Sequence, residues 1–255
     1  MKIGVFLKDE LSESDIATSI ISKISEYGFD FDLDNPDVVI FVGGDGTFLR
    51  AVKTYINKIS DITFIGINEG SLGFYPNYGV EDLDDILIAL KNDRYVKYSF
   101  SLLEGIIGTK TIFAVNEIRI ENPFHVFNAD VYVNGDYLES YRGNGLCVSS
   151  SNGSSAYNKS LGGAVVLPSI ETLQLTEIAP INNRVYSSLA SPLVLDEESF
   201  IRFNGNLSDS VIGYDHLTMR SDSDEITIYL SSKKINLVYK EDHSFIKQIR
   251  EAFIR

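Results

Sequence analysis

Gly43, Gly44 and Gly46 bracket a single carboxylate, Asp45, and Thr47 follows. Glycines packed this closely let a ligand come up to the backbone. A turn of bare N–H groups that opens a helix is suited to phosphate, because the helix N-terminus carries partial positive charge. Asp45 stands where the phosphate would lie. Its charge is costly there unless a metal or a proton-transfer role accounts for it. The plain alternative is a tight turn with Asp45 or Thr47 as helix N-cap. The stretch is not a Walker loop, since no lysine follows until Lys53, and it lacks the GxGxxG dinucleotide fingerprint.

Such a turn needs a strand before it and a helix behind it. Val38, Val39, Ile40, Phe41 and Val42 form an apolar, mostly β-branched run that reads as a strand buried on both faces of a parallel sheet. Residues 47–55 have helical spacing at Phe48, Ala51, Val52 and Tyr55. Around them, 2–7 reads as a strand and 12–27 as a helix, with Ser12 and Asp15 as a capping pair and Gly28 as its stop. Residues 62–67 form another strand that runs into a second glycine turn at 68–74, and 80–92 reads as an acid-led helix. Strands alternating with helices, and ligand turns at strand C-termini, predict a doubly wound α/β domain (Rossmann- or flavodoxin-like) over residues 1–97.

Near Lys97 the pattern changes to short alternating strands, at 111–121, 127–133, 136–142, 145–150, 200–203, 225–230 and 235–239. Asn134-Gly135 is a hairpin turn between two of them. An all-β, antiparallel, sandwich-like domain is therefore expected over 98–240, with one helical interruption at 154–161. Phe245, Ile249 and Phe253 recur every four residues, so 244–254 reads as an amphipathic helix, expected to pack back on the first domain.

The formal charge of −14, from 36 acidic and 22 basic residues, argues against non-specific binding to nucleic acid or an anionic membrane. It leaves room for an anionic ligand held by helix ends, local arginine and a divalent cation. Cys147 is the single cysteine, which excludes an internal disulfide and a cysteine-rich zinc site. No apolar run approaches the roughly 20 residues of a membrane helix, and a cytoplasmic protein is expected. His125, His216 and His243 are scattered, with no pattern of metal ligands.

Further polar residues stand at Asn116-Glu117, and a glycine- and serine-rich stretch runs from Gly145 to Gly163. The Gly43–Thr47 turn resembles the signature of the superfamily of NAD kinases, diacylglycerol kinases and phosphofructokinases. Asn116-Glu117 and the 145–163 stretch resemble the second and third motifs of the NAD kinase family, and 68–74 and Pro192-Leu193 are similar to further elements of it. The resemblance covers nearly the whole chain in order.

That resemblance implies transfer of the γ-phosphoryl group of ATP to the 2′-hydroxyl of the adenosine ribose of NAD. It casts Asp45 as the base for that hydroxyl, with a metal ligand as its other role, and Gly44 and Gly46 as backbone facing ligand. Mg²⁺, or another divalent cation, would come with the ATP. Arg50 and Arg142 become phosphate or dinucleotide contacts, and Phe74 a ring that stacks on or walls the site. Asn116 and Glu117 would bond ribose hydroxyls and ring nitrogens. Ser155, Ala156, Tyr157, Asn158 and Ser160 would line the site, with Ala156 leaving room for a planar base. Ala179 and Ile181 resemble positions that reach the ligand of a neighbouring subunit, implying a homo-oligomer, dimer or tetramer; His216 falls near a ligand-facing position. Structural readings stand beside these: strand-end polarity for Asn116 and Glu117, core aromatics for Phe74 and Tyr157, and surface arginines. Asn144 departs from the family pattern, which usually has an acid there; the change loses charge and adds donors. Two other readings are open, a lipid kinase of the same superfamily and a dinucleotide sensor without turnover. The acidic balance and Asn116-Glu117 oppose the first, and Asn144 alone favours the second.

Overall fold

The computed structural model describes residues 1–8, 15–68, 70, 73–205, 207–221 and 223–254. It divides into two compact units, residues 1–99 with 233–255, and residues 100–232. In the first, β1 (Lys2–Leu7), α1 (Asp15–Glu26), β2 (Asp30–Phe31), β3 (Val38–Val42), α2 (Asp45–Thr54), β4 (Thr63–Ile67) and α3 (Leu83–Lys91) follow in turn. The strands lie in the order β2-β1-β3-β4 and all pair in parallel. All five residues of β3 are buried, as a strand covered on both faces must be. Val38, Ile40 and Val42 share a core with Ile20 and Ile24 of α1 and Leu83, Ile86, Leu87 and Leu90 of α3. Phe41 meets Phe48 of α2, with ring centroids 5.1 Å apart. Phe48 also reaches Phe64 at 5.7 Å and Tyr75 at 4.3 Å. Helices thus cover both faces of the sheet, the doubly wound arrangement. Ser12 of the expected capping pair lies outside the described residues, as do 69, 71 and 72 of the second glycine turn.

The second unit is a sandwich of antiparallel sheets. Its strands are β5 (Lys97–Ile107, from residue 100 onward), β6 (Lys110–Ala114), β7 (Glu117–Glu121), β8 (Phe127–Val133), β9 (Asp136–Gly143) and β10 (Gly145–Ser150). A 3-10 turn (Asn152–Ser155) and the short α4 (Tyr157–Ser160) follow. Then come β11 (Leu173–Ile178), β12 (Leu193–Leu195), β13 (Phe200–Asn204), β14 (Val211–Tyr214), β15 (Leu217–Arg220) and β16 (Glu225–Val238). One sheet has β16, β13, β8 and β9 side by side, with β5 and β6 beyond β16; the other runs β12-β11-β10-β7-β14-β15. Ile118, Ile120, Leu146 and Val148 from one sheet pack with Val131, Phe203, Ile226 and Ile228 from the other. Asn134 and Gly135 take positive φ of 53° and 91°, which the tight β8–β9 hairpin requires.

Three expectations are corrected. The strand expected at 111–121 is two strands, because the N–H groups of Val115 and Asn116 are taken by the carboxylate of Asp215. The helix expected at 154–161 is a 3-10 turn and one α turn, interrupted at Ala156, where ψ is −133°. The strands expected at 225–230 and 235–239 are one strand, since Ser231 bonds Glu104 and the N–H of Lys234 bonds Ser60 within the intervening residues.

The last residues of β16 return to the first unit, where Asn236–Val238 pair in parallel with Thr63–Ile65. The chain ends in α5 (Phe245–Phe253), capped by Ser244, whose hydroxyl accepts from the Lys247 N–H. Among the described residues no helix is long and apolar enough to cross a membrane.

Candidate active site

Helix α2 begins three residues before its first apolar position, Phe48. Gly44 is its N-cap, extended at φ −92° and ψ −169°, and no side chain caps it. The expected capping by Asp45 or Thr47 is thus replaced by another arrangement. The Asp45 carboxylate turns to the neighbouring turn, where Oδ1 accepts from the N–H of Phe74 at 2.9 Å and of Tyr75 at 3.0 Å. Two converging backbone donors hold a carboxylate better than one cap bond. Both bonds fall on Oδ1, which leaves Oδ2 outside this backbone clasp. Burial raises the Asp45 pKa above the ordinary aspartate value, and the two N–H bonds partly oppose that rise.

The three glycines of the turn are not equivalent. Gly43 has φ 141°, and a Cβ there would run into Thr47 Oγ1, so the fold itself needs glycine. At Gly44 and Gly46 a Cβ would meet nothing within 4 Å. Internal packing gives no reason for their bareness, whereas close approach of a ligand does. Arg50 lies half-buried one turn after Gly46. The Phe74 ring packs against Phe245 at 6.2 Å and Phe253 at 5.9 Å between centroids.

In the second unit Asn116 and Glu117 sit at the break between β6 and β7. Asp215 holds that break with three bonds: its carboxylate accepts from the N–H of Val115 and Asn116, each at 2.8 Å, and its own N–H donates to Glu117 O at 3.1 Å. Asp215 and His216 form the two-residue turn between β14 and β15, so His216, exposed, follows directly on the residue that holds the Asn116 N–H. A Cβ on Gly153 would collide with the Asn116 carbonyl, so this glycine brings the 145–163 stretch directly against Asn116. Ser155, Ala156 and Tyr157 follow from that contact.

Glu117, Arg119 and Glu121 alternate on one face of β7. Arg119 bonds Glu117 and Glu121, each at 3.2 Å, and lies 5.2 Å from the Tyr157 ring centroid. Tyr157 donates its hydroxyl to Glu121 at 3.0 Å. Glu117 is 4% exposed, and its Oε2 is buried without a hydrogen-bond partner among the described residues. Burial, with the nearby charge of Asp215, pushes the Glu117 carboxyl up to about 7, and burial takes Asp215 to about 6. Asn158 points inward, fully buried, and accepts from Thr176 Oγ1 at 2.7 Å; Ser160 is exposed at the end of α4.

Arg142, Asn144, Ala179 and Ile181 gather elsewhere. The Ile181 N–H bonds Arg142 O at 2.8 Å and the Asn144 N–H bonds Ile178 O at 2.9 Å. The Arg142 guanidinium covers the Tyr186 ring at 4.2 Å, and Ala179 takes a positive φ of 48°. Strand β10 separates this group from the first: its Gly145 pairs with Glu121 and its Ser149 with Glu117. At about 3.4 Å per residue, the levels of Glu117 and Gly145 are roughly 14 Å apart along the strand, with Glu121 and its partner Tyr157 nearer the second group. Asn144 donates its side-chain amide to Asn122 O at 3.2 Å, a bond that an ionised acid could not make.

Asp215, Arg119, Glu121 and Tyr239 were not singled out from sequence. For β7 a signal existed, since charged residues alternate there with Ile118 and Ile120. Tyr239 is near Asp45 through the fold alone; burial and that charge hold its phenol protonated, well above the usual range.

The family of ATP-NAD kinase N-terminal domains matches residues 4–95, and that of ATP-NAD kinase C-terminal domains matches residues 115–240. An NAD kinase of Latilactobacillus sakei is 38% identical, covering 100% of this chain and 98% of the relative. NAD kinase 1 of Bacillus cereus is 35% identical, over 100% and 99%. Among solved structures, yeast NADH kinase complexed with NADH superposes with a TM-score of 0.83 at 19% identity, covering 99% of this chain and 87% of that one. An NAD kinase from Archaeoglobus fulgidus in complex with ATP gives a TM-score of 0.77 at 23% identity, over 99% and 97%. These last two likenesses speak to the fold. Matched by both domain families, and by relatives over its full length, the chain belongs to the ATP-NAD kinase family.

Proposed function

We propose that the protein transfers the γ-phosphoryl group of ATP to the 2′-hydroxyl of the adenosine ribose of NAD. The observation that carries this reading is Asp45. It is a carboxylate of raised pKa, tied by Oδ1 to two backbone N–H groups, on a turn where Gly44 and Gly46 are bare without a packing reason. A ribose hydroxyl is a poor nucleophile at neutral pH. Asp45 Oδ2 orients it and takes its proton as the new O2′–P bond forms. The bond from the γ-phosphorus to its bridging oxygen breaks, and ADP leaves with that electron pair. The N-terminus of α2 faces the phosphates with its unpaired N–H groups.

Asn116 and Glu117 hold the adenosine. The buried Oε2 of Glu117 supports this, because an orphan acceptor in the interior calls for a ligand donor. Tyr157, steadied by Glu121 and Arg119, and the small Ala156 flank the base. Among the described residues no three His, Cys, Asp or Glu stand together as a metal cage. Mg²⁺ would come with ATP and would supply charge neutralisation at its phosphates, with Asp45 as the residue whose carboxylate would assist in holding it. Arg142, Asn144, Ala179 and Ile181 serve the ligand of a neighbouring copy in a homo-oligomer, a role supported by their distance from Asn116 along β10. The buried thiol of Cys147 fits a cytoplasmic setting. Asn144, with its amide engaged by Asn122, gives no reason to infer lost turnover.

The experiment is direct. Purified protein with ATP, Mg²⁺ and NAD should form NADP, and Asp45→Asn should lower turnover by about two to four orders of magnitude while NAD still binds. Wild-type protein that binds NAD and forms no NADP would overturn the reading.

A further inference from the structure

Helix α5 has an apolar stripe of Phe245, Ile249 and Phe253, yet its one buried residue is polar. Gln248 is 9% exposed. A buried amide on such a stripe is costly unless its hydrogen bonds matter, and leucine or methionine would fill the place more cheaply. Its Nε2 donates to Gly73 O at 3.1 Å and to Phe74 O at 3.3 Å. The Tyr239 hydroxyl also donates to Phe74 O, at 3.4 Å. Phe245 and Phe253 of the same helix hold the Phe74 ring. The far side of this turn presents the Phe74 and Tyr75 N–H groups to Asp45 Oδ1. There is little slack, since a Cβ on Gly73 would lie 2.7 Å from the Pro76 ring and 3.1 Å from Asp45 Oδ1.

We infer that Gln248 is a positioning residue for phosphoryl transfer: its amide fixes the 73–75 turn whose N–H groups orient the Asp45 carboxylate. The inference rests on Asp45 being the base. Gln248 touches no substrate and acts through the turn. With its amide in place, Oδ1 stays engaged and Oδ2 is aimed at the hydroxyl. Without it the turn drifts, the N–H bonds lengthen, and the base is misplaced. Misplacement of a reacting group by about 1 Å can cost as much as 100-fold in rate.

Gln248→Met keeps the length and volume of the side chain and deletes the donor. Turnover at saturating substrates should fall about tenfold, with KM for NAD and for ATP within roughly threefold. The acidic limb of the kcat–pH profile should move up by about one pH unit, because Asp45 loses N–H bonds that hold its pKa down. A merely structural role would not move that limb. In an Asp45→Asn background the same substitution should change the residual rate by less than about twofold, since it acts through the carboxylate already removed. Tyr239→Phe, a milder change, should repeat the pattern at about twofold to threefold, and supplies the test if Gln248→Met folds poorly. An unchanged kcat and pH limb in both variants, or losses that multiply in the double variant, would overturn the inference. Full turnover in Asp45→Asn alone would instead refute the role of Asp45, so the two failures are distinguishable.

Discussion

At the scale of single residues the chemistry is set by carboxylates kept out of water. Glu117 titrates at about 7 in the folded chain against 4.5 for an ordinary glutamate. A raised acid contributes stability that is fully present below the unfolded value and lost as pH rises through the folded one. Unliganded protein should therefore lose on the order of 1–3 kcal/mol of stability between pH 5 and pH 8 from this group. Urea unfolding at both pH values checks this: Glu117→Gln should flatten the slope, and an equal slope in both proteins would contradict the assignment. Asp215→Asn removes one acceptor from the Val115–Asn116 clasp. KM for NAD should rise about tenfold with KM for ATP within about threefold, consistent with lost positioning of Asn116. Asp45 stood out in the sequence as a candidate because a carboxylate among glycines has few other uses. Asp215 was not, since an aspartate in a hairpin turn looks the same whether its carboxylate faces water or a neighbouring strand. Gln248 could not be read either, because its partners are carbonyl groups 174 and 175 residues away.

At the scale of elements, the turn into α2 separates a glycine that packing requires, Gly43, from two that packing does not, Gly44 and Gly46. Gly46 lies in the first turn, and alanine there would meet nothing within 4 Å. Gly46→Ala should raise stability by about 0.5–1 kcal/mol through helix propensity while lowering kcat/KM about 10- to 100-fold by obstructing the ligand. Thermal unfolding and initial rates check both halves; unchanged kcat/KM would show that the turn admits no ligand there. The strands that sequence reasoning found, such as β3, β8 and β10, carry clear apolar runs or alternation. It missed β2, β5, β11, β12, β14 and β15. Of these, β11 reads Leu-Gln-Leu-Thr-Glu-Ile, with Gln174 and Thr176 buried through bonds to Ala164 and Asn158, so polarity there does not mark a surface. The boundaries at 115–116 and 152–160 were misjudged for a similar reason. A carboxylate from a distant turn and the close approach of Gly153 to Asn116 decide them.

At the scale of the whole molecule, the separation of the Asn116–Glu117 break from the candidate group at Arg142, Asn144, Ala179 and Ile181, about 14 Å along β10, makes an expectation about assembly. If Arg142, Asn144, Ala179 and Ile181 serve a neighbouring subunit, then Ile181→Asp should depress activity through KM for NAD. Subunits carrying it, mixed with Asp45→Asn subunits, should regain a fraction of wild-type activity, about a quarter in a dimer reassorted at random, because one site per mixed dimer is then intact. No recovery after confirmed subunit exchange would place those residues outside the site. Family membership was legible because the motifs occur in order along nearly the entire chain. The assembly is not written in one chain's pattern of strands and helices.

The most direct measurement is a crystal structure with NAD and a non-hydrolysable ATP analogue, reading the distance from Asp45 to the 2′-oxygen of the adenosine ribose. Hydrogen-bond reach, roughly 2.6–3.2 Å from Oδ2, is expected. A ribose held well beyond that reach, with its 2′-oxygen paired to another base, would contradict the role given to Asp45.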